Sequence, residues 1–191
     1  MNRRVLGTGT AIVLVVLFVS VVASMVHQAS SNLALPLSDA SIIREQAAQK
    51  DLDPALIAAV IYAESKFEPR PSSAGAQGLM QILPTTAYYL AHLSGGTRFT
   101  AGDLATPSIN LAYGSYYLRY LLDHYNGDEM LAVAAYNAGL TNVDEWVADA
   151  HAHGRQLSAE SIPFPETREY VRRVLAAQAE YRQTYPHQLG I

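Results

Sequence analysis

Residues 53–67 read Asp53-Pro54-Ala55-Leu56-Ile57-Ala58-Ala59-Val60-Ile61-Tyr62-Ala63-Glu64-Ser65-Lys66-Phe67. Aspartate followed by proline supplies an N-cap and a first-turn proline, and nothing behind it breaks a helix. Leu56, Ile57, Val60 and Ile61 recur at helical spacing, and Glu64 continues the same stripe. An acid on the face that should meet the core needs a reason. At the last turn of a helix a carboxyl loses hydration and meets the negative end of the helix dipole, and both effects disfavour its ionised form. A carboxyl kept protonated near neutral pH can hand a proton to a leaving group. A core-edge glutamate bonded to backbone or paired with a base fits the same position, and periodicity alone does not choose between the two.

Working outward, SIIREQAAQK (41–50) forms a helix opened by Ser38 or Asp39. After Glu64, the prolines, glycines and serines of EPRPSSAGAQG (68–78) forbid a regular element; LMQILP follows, then a helix, PTTAYYLAHL, stopped by Ser94-Gly95-Gly96. Thr106-Pro107 opens the longer helix SINLAYGSYYLRYLLDHY. One of its stripes is Tyr113, Tyr116, Tyr117 and Tyr120, which suits core packing or sugar stacking; another is Leu111, Leu118, Leu121, Leu122 and Tyr125. Asp128 caps EMLAVAAYN with Gly139 at its end, TNVDEWVADA is a further helix, and ESIPFPE connects to the last, TREYVRRVLAAQAEYRQ. That helix is expected to bury Tyr170, Val171, Val174, Leu175 and Tyr181. With no period-2 run, the fold class is mainly α, a compact domain of about seven helices.

The chain has 191 residues and no cysteine, which suits one domain plus a targeting segment and excludes disulfides and thiolate metal sites. Residues 1–26 carry Arg3 and Arg4 and then an unbroken apolar run, so they read as an N-terminal apolar signal peptide or signal anchor, with residues 5–26 as the candidate inner-membrane span. Residues 27–38 read as a linker and 39–191 as the folded domain. The net charge is −4, and more negative once the Arg pair is set aside, so no nucleic-acid partner is expected. His151 and His153 read as surface residues; no metal site is expected.

Four blocks in order, ESKFEPRPSSAGAQGLMQILPTTA, LATPSINLAYGSYYLRYLL, AVAAYNAG with VDEW, and AESIPFPETREYVRRVLAA, resemble the catalytic domain of the soluble lytic transglycosylases, relatives of goose-type lysozymes. The resemblance runs from about Ile42 to Tyr185 and implies a lysozyme-like helical domain that cleaves the β-1,4 bond between N-acetylmuramic acid and N-acetylglucosamine in peptidoglycan. By resemblance, Glu64 is the catalytic acid and Ser73 bonds near the bound muramoyl sugar. Met80 and Gln81 belong to the turn lining the cleft. Tyr136 and Asn137 belong to the AYNAG motif, whose tyrosine sits beside the carboxylate, and Glu160 matches an acid facing the groove. Gly75, Ala76 and Gly78 are expected to let backbone approach a sugar and to take positive φ.

Most glycosidases use two carboxylates, but no second acid is tied to the blocks around Glu64, and Glu68 reads as exposed. The resemblance implies one glutamate acting first as acid and then as base, so that the muramoyl C6 hydroxyl closes a 1,6-anhydro ring, with no cofactor or metal. It also implies a bacterial periplasmic location, soluble or anchored, with peptidoglycan strands as partner and an envelope machine as a further candidate partner. A muramidase on the same scaffold and a silent peptidoglycan-binding subunit are the alternatives.

Overall fold

The computed structural model describes residues 34–95 and 98–191; the apolar segment read as signal or anchor lies outside the described residues. Among the described residues no helix is long and apolar enough to cross a membrane. The chain is mainly helical. Its α-helices are α1 (Ala40–Lys50), α2 (Pro54–Ser65), α3 (Pro84–Ser94), α4 (Pro107–His124), α5 (Glu129–Ala138), α6 (Leu140–Ala152), α7 (Pro165–Thr184) and the short α8 (Pro186–Leu189). Single 3-10 turns lie at Ala101–Ala105 and Ala159–Ser161. Five of the helices open on proline, whose fixed φ suits the first turn and whose missing N–H would have had no intrahelical partner there. The one helix not expected from sequence is α8.

Around α2 the packing goes beyond the expected stripe. Every residue from Ala55 to Ile61 is buried, so the helix is enclosed on all sides. Ala55, Ala58 and Ala59 are small enough to let α1 and α7 close on it, and the contact of α2 with α7 is the largest between helices. α7 also packs on α5, and α5 on α4. Of the residues expected to be buried on α7, Leu175 is only partly so, while Tyr170, Val171, Val174 and Tyr181 are enclosed.

Asp53 caps α2 as its position implies: one carboxylate oxygen accepts the Ala55 N–H at 2.9 Å. The other accepts from the Gln178 amide at 2.8 Å and pairs with Arg182, and the same amide reaches Glu129 at 3.2 Å. The starts of α2 and α5 are thereby tied to α7.

Asp39 does not act as a side-chain cap. It takes a left-handed backbone (φ 53°) and accepts the Ser38 hydroxyl instead. The compact unit begins before it, at Leu35. Leu35 and Leu37 pack on the core, and the Tyr181 and Tyr185 hydroxyls donate to the Pro36 and Leu35 carbonyls.

Candidate active site

Glu64 lies in the last turn of α2, and the chain leaves the helix through two left-handed residues, Lys66 (φ 54°) and Phe67 (φ 63°). Its carboxyl accepts a hydrogen bond from the Tyr170 hydroxyl at 2.6 Å, across the α2–α7 interface. Burial pushes the Glu64 carboxyl up from 4.5 to about 7; the Tyr170 hydrogen bond and the Arg173 guanidinium oppose the rise without cancelling it. Arg173 lies 5.7 Å from the centre of the Tyr170 ring. Burial and the neighbouring Glu64 hold the Tyr170 hydroxyl well above its ordinary pKa, so it stays a neutral donor. A partly buried carboxyl that is half protonated near pH 7 can give a proton and later take one.

This carboxyl opens into a cavity of about 500 Å³ lined by Lys66, Glu68, Arg70, Ser72 and Gln81 among others. A slightly larger hollow, about 540 Å³, lies by α6 between Trp146, Arg155 and Ser161, but its charged residues Asp149 and Arg155 are exposed. The chemistry belongs to the smaller cavity, because only there does burial shift an acid.

One wall is the turn 77–82. Gln77 and Ile82 exchange two backbone bonds of 3.0 Å, and Gly78 (φ 77°) and Gln81 (φ 47°) take left-handed backbones to reverse the chain. Asn110 of α4, fully buried, holds the turn twice: its carbonyl accepts the Met80 N–H and its amide donates to the Gln77 carbonyl, both at 2.8 Å, while the same amide reaches the Leu104 carbonyl of the preceding 3-10 turn at 3.1 Å. A Cβ on Gly78 would stand 2.1 Å from that amide, so this glycine makes room for Asn110 and not for a sugar. Met80 is buried against α4, where a Cβ on Gly114 would stand 2.3 Å from its sulfur. The Tyr136 hydroxyl donates to the Met80 carbonyl at 2.9 Å. Tyr136 therefore does not bond Glu64, although the nearby carboxylate adds to burial in raising its pKa well above the ordinary value. The Gln81 amide donates to the Arg70 and Gly78 carbonyls, both at 2.8 Å.

The remaining expected residues lie differently. Ser73 is exposed, while its neighbour Ser72 lines the cavity and accepts the Ala76 N–H at 2.9 Å. Asn137, exposed at the end of α5, accepts the Thr167 hydroxyl at 2.8 Å and so joins α5 to α7. Glu160 stands exposed on the turn Ala159–Ser161. Glu68 is exposed and paired with Arg70. Sequence reasoning took Tyr170 for a core residue and passed over Asn110 and Arg173.

With this geometry in place, the chain belongs to the Transglycosylase SLT domain family, whose model matches residues 41–158. It is 33% identical over 150 residues to the soluble lytic murein transglycosylase of Escherichia coli K12, covering 77% of this chain and 23% of that protein. It is 33% identical over 118 residues to the membrane-bound lytic murein transglycosylase D of the same organism, covering 59% of this chain and 25% of that one. Among solved structures, an inactive glutamate-to-glutamine mutant of the Pseudomonas aeruginosa lytic transglycosylase superposes with a TM-score of 0.72 at 34% identity, over 78% of this chain and 24% of that one. The chain thus spans about a quarter of the length of these relatives.

Proposed function

We propose that this chain is a peptidoglycan lytic transglycosylase that breaks the bond between N-acetylmuramic acid and N-acetylglucosamine and leaves 1,6-anhydromuramic acid ends. The observation that carries the reading is Glu64: a partly buried carboxyl with its pKa raised to about 7, fixed by a neutral phenol and opening into the cavity. In the first step its proton passes to the glycosidic oxygen as the bond from that oxygen to C1 breaks, and the sugar's own N-acetyl oxygen shares the charge developing at C1. The carboxylate left behind then takes the proton of the C6 hydroxyl as that oxygen bonds to C1. Glu64 is protonated again and no water is consumed. The same side chain must be acid and then base, and a pKa near neutrality serves both steps.

Ser73, Met80, Gln81, Tyr136, Asn137 and Glu160 are proposed as substrate-binding residues. Gln81 is favoured by its place on the cavity wall, and Met80 and Tyr136 by fixing the turn that holds it. For location we propose the bacterial periplasm, soluble or held at the inner membrane by residues 5–26; relatives named as soluble and as membrane-bound murein transglycosylases support either form.

Mass spectrometry of fragments released from purified sacculi tests the reaction. Anhydro ends from the wild type, lost in Glu64→Gln, are expected. Reducing muramic acid ends would make the chain a muramidase, and no release would make it a binding subunit.

A further inference from the structure

α3 buries Ala87, Leu90 and Ala91 and leaves large side chains facing outward: Tyr88 is 51% exposed, Tyr89 48% and Leu93 45%. Large apolar side chains grouped on one exposed face can mark a contact surface. Tyr89 does not stand alone. Its ring meets Tyr120 of α4 edge-on at 6.2 Å, with the two hydroxyls 3.2 Å apart. Tyr120 stacks on Tyr117 at 6.5 Å and 16°, and Tyr117 tilts against Tyr136 at 5.3 Å. Tyr136 donates to the carbonyl of Met80, the residue before Gln81 on the cavity wall. Four phenol rings therefore run without a break from the turn beside Glu64 to open surface.

Each of the four rings joins an apolar body to a polar tip. Such a surface suits an uncharged chain that alternates C–H faces with hydroxyl and amide groups, and it offers nothing to a strongly charged polymer. A β-1,4 chain of N-acetylated sugars has that chemistry, and the continuity of the rings with the cavity wall says which chain it would be.

We propose that Tyr89 and Tyr120 form a distal stacking platform for the glycan strand whose reacting bond lies at Glu64. The platform rests on the transglycosylase reading for its ligand, but it is tested separately from the reaction.

The full chain carrying Glu64→Gln is titrated by calorimetry with the trimer and the hexamer of N-acetylglucosamine. The hexamer should bind more tightly. Adding Tyr89→Ala should shrink the hexamer-over-trimer advantage about tenfold, the size of a well-packed aromatic contact. Tyr89→Phe keeps the ring and should shrink it less. Tyr89 is half exposed, so thermal melting should not change. A hexamer advantage that survives Tyr89→Ala overturns the platform, and so does equal binding of both oligomers by the parent protein. If light scattering instead shows a dimer that Tyr89→Ala breaks, the face is a self-association surface and the platform falls. A wild type that releases no anhydro ends while Tyr89 still governs hexamer binding would sink the reaction and keep the platform; normal cleavage with a Tyr89-independent hexamer advantage would do the reverse.

Discussion

The two walls of the cavity at Glu64 are held in different ways. The turn 77–82 is fixed from outside itself, by Asn110 from α4 and by Tyr136 from α5, through bonds that are buried or partly so. The facing run from Lys66 to Ala76 holds mainly to itself: Glu68 pairs with Arg70, the Gly75 N–H reaches the Ser72 carbonyl, and the Ser72 hydroxyl accepts from Ala76. Gln81 ties one wall to the other through the Arg70 carbonyl. The contrast separates two needs. Groups that set the acid's geometry sit on helices or are bonded to them, while the facing rim is built from short-range contacts that reform cheaply.

The largest effect should come from the acid that both walls serve. Glu64→Gln keeps volume and removes the transferable proton, so turnover should fall about 10²- to 10⁴-fold. The same variant tests burial. With the folded pKa raised from 4.5 to about 7, the folded state keeps a proton that the unfolded state has already released across that window, so stability falls as pH rises through it. Above the window Glu64 is ionised in a site that disfavours its charge. Glu64→Gln should therefore be more stable than the wild type at pH 8, by roughly 2–3 kcal/mol, with the advantage fading towards pH 4. Thermal melts that show the same difference at both pH values would refute the burial account.

Next is the fixed wall. Asn110→Ala leaves the Met80 N–H and the Gln77 and Leu104 carbonyls without their partner and should cost about 3 kcal/mol in denaturant unfolding. A loss under about 1 kcal/mol would mean that the turn holds itself and the contrast between the walls is false.

A smaller, directional effect comes from α7. The Tyr170 hydroxyl and Arg173 both favour the ionised form of Glu64, the hydroxyl more strongly. Tyr170→Phe should move the alkaline limb of the pH–rate profile upward. Arg173→Ala should move it the same way by less, and Arg173→Lys should restore most of the change. A limb that moves down, or not at all, removes α7 from the tuning of the acid. Smallest of all, Arg70→Ala on the self-held wall breaks an ion pair whose members are 79% and 69% exposed and should change stability by no more than about 0.5 kcal/mol.

Much of the fold was legible because its signals are local. Asp53-Pro54, Thr106-Pro107, Asp128 and Gly139 mark helix ends through capping and backbone geometry that need no distant partner. Glu64 was legible as a puzzle, since an acid on an apolar stripe stands out, and its family blocks turned the puzzle into a site. Tyr170 was not, because a tyrosine at helical spacing on α7 looks the same whether its hydroxyl meets solvent or a carboxylate 106 residues earlier in the chain. Asn110 was hidden in the same way: a polar residue near the start of α4 suggests a cap, and its two bonds to Met80 and Gln77 exist only once the turn folds onto that helix. Gly78 was read for its freedom of φ, which is correct, but the space it leaves is filled by an amide that no spacing rule could name.

The clasp of Tyr181 and Tyr185 on the Pro36 and Leu35 carbonyls has a mechanical consequence. A pull on the chain ahead of Leu35 meets these two phenols before it reaches any residue of α1. The load then enters the chain at the far end of α7, about three helical turns from Tyr170. Glu64 lies on a different helix, across the most extensive helix contact among the described residues. Tension in the leading segment would have to break the two phenol bonds before it bore in full on the start of α1.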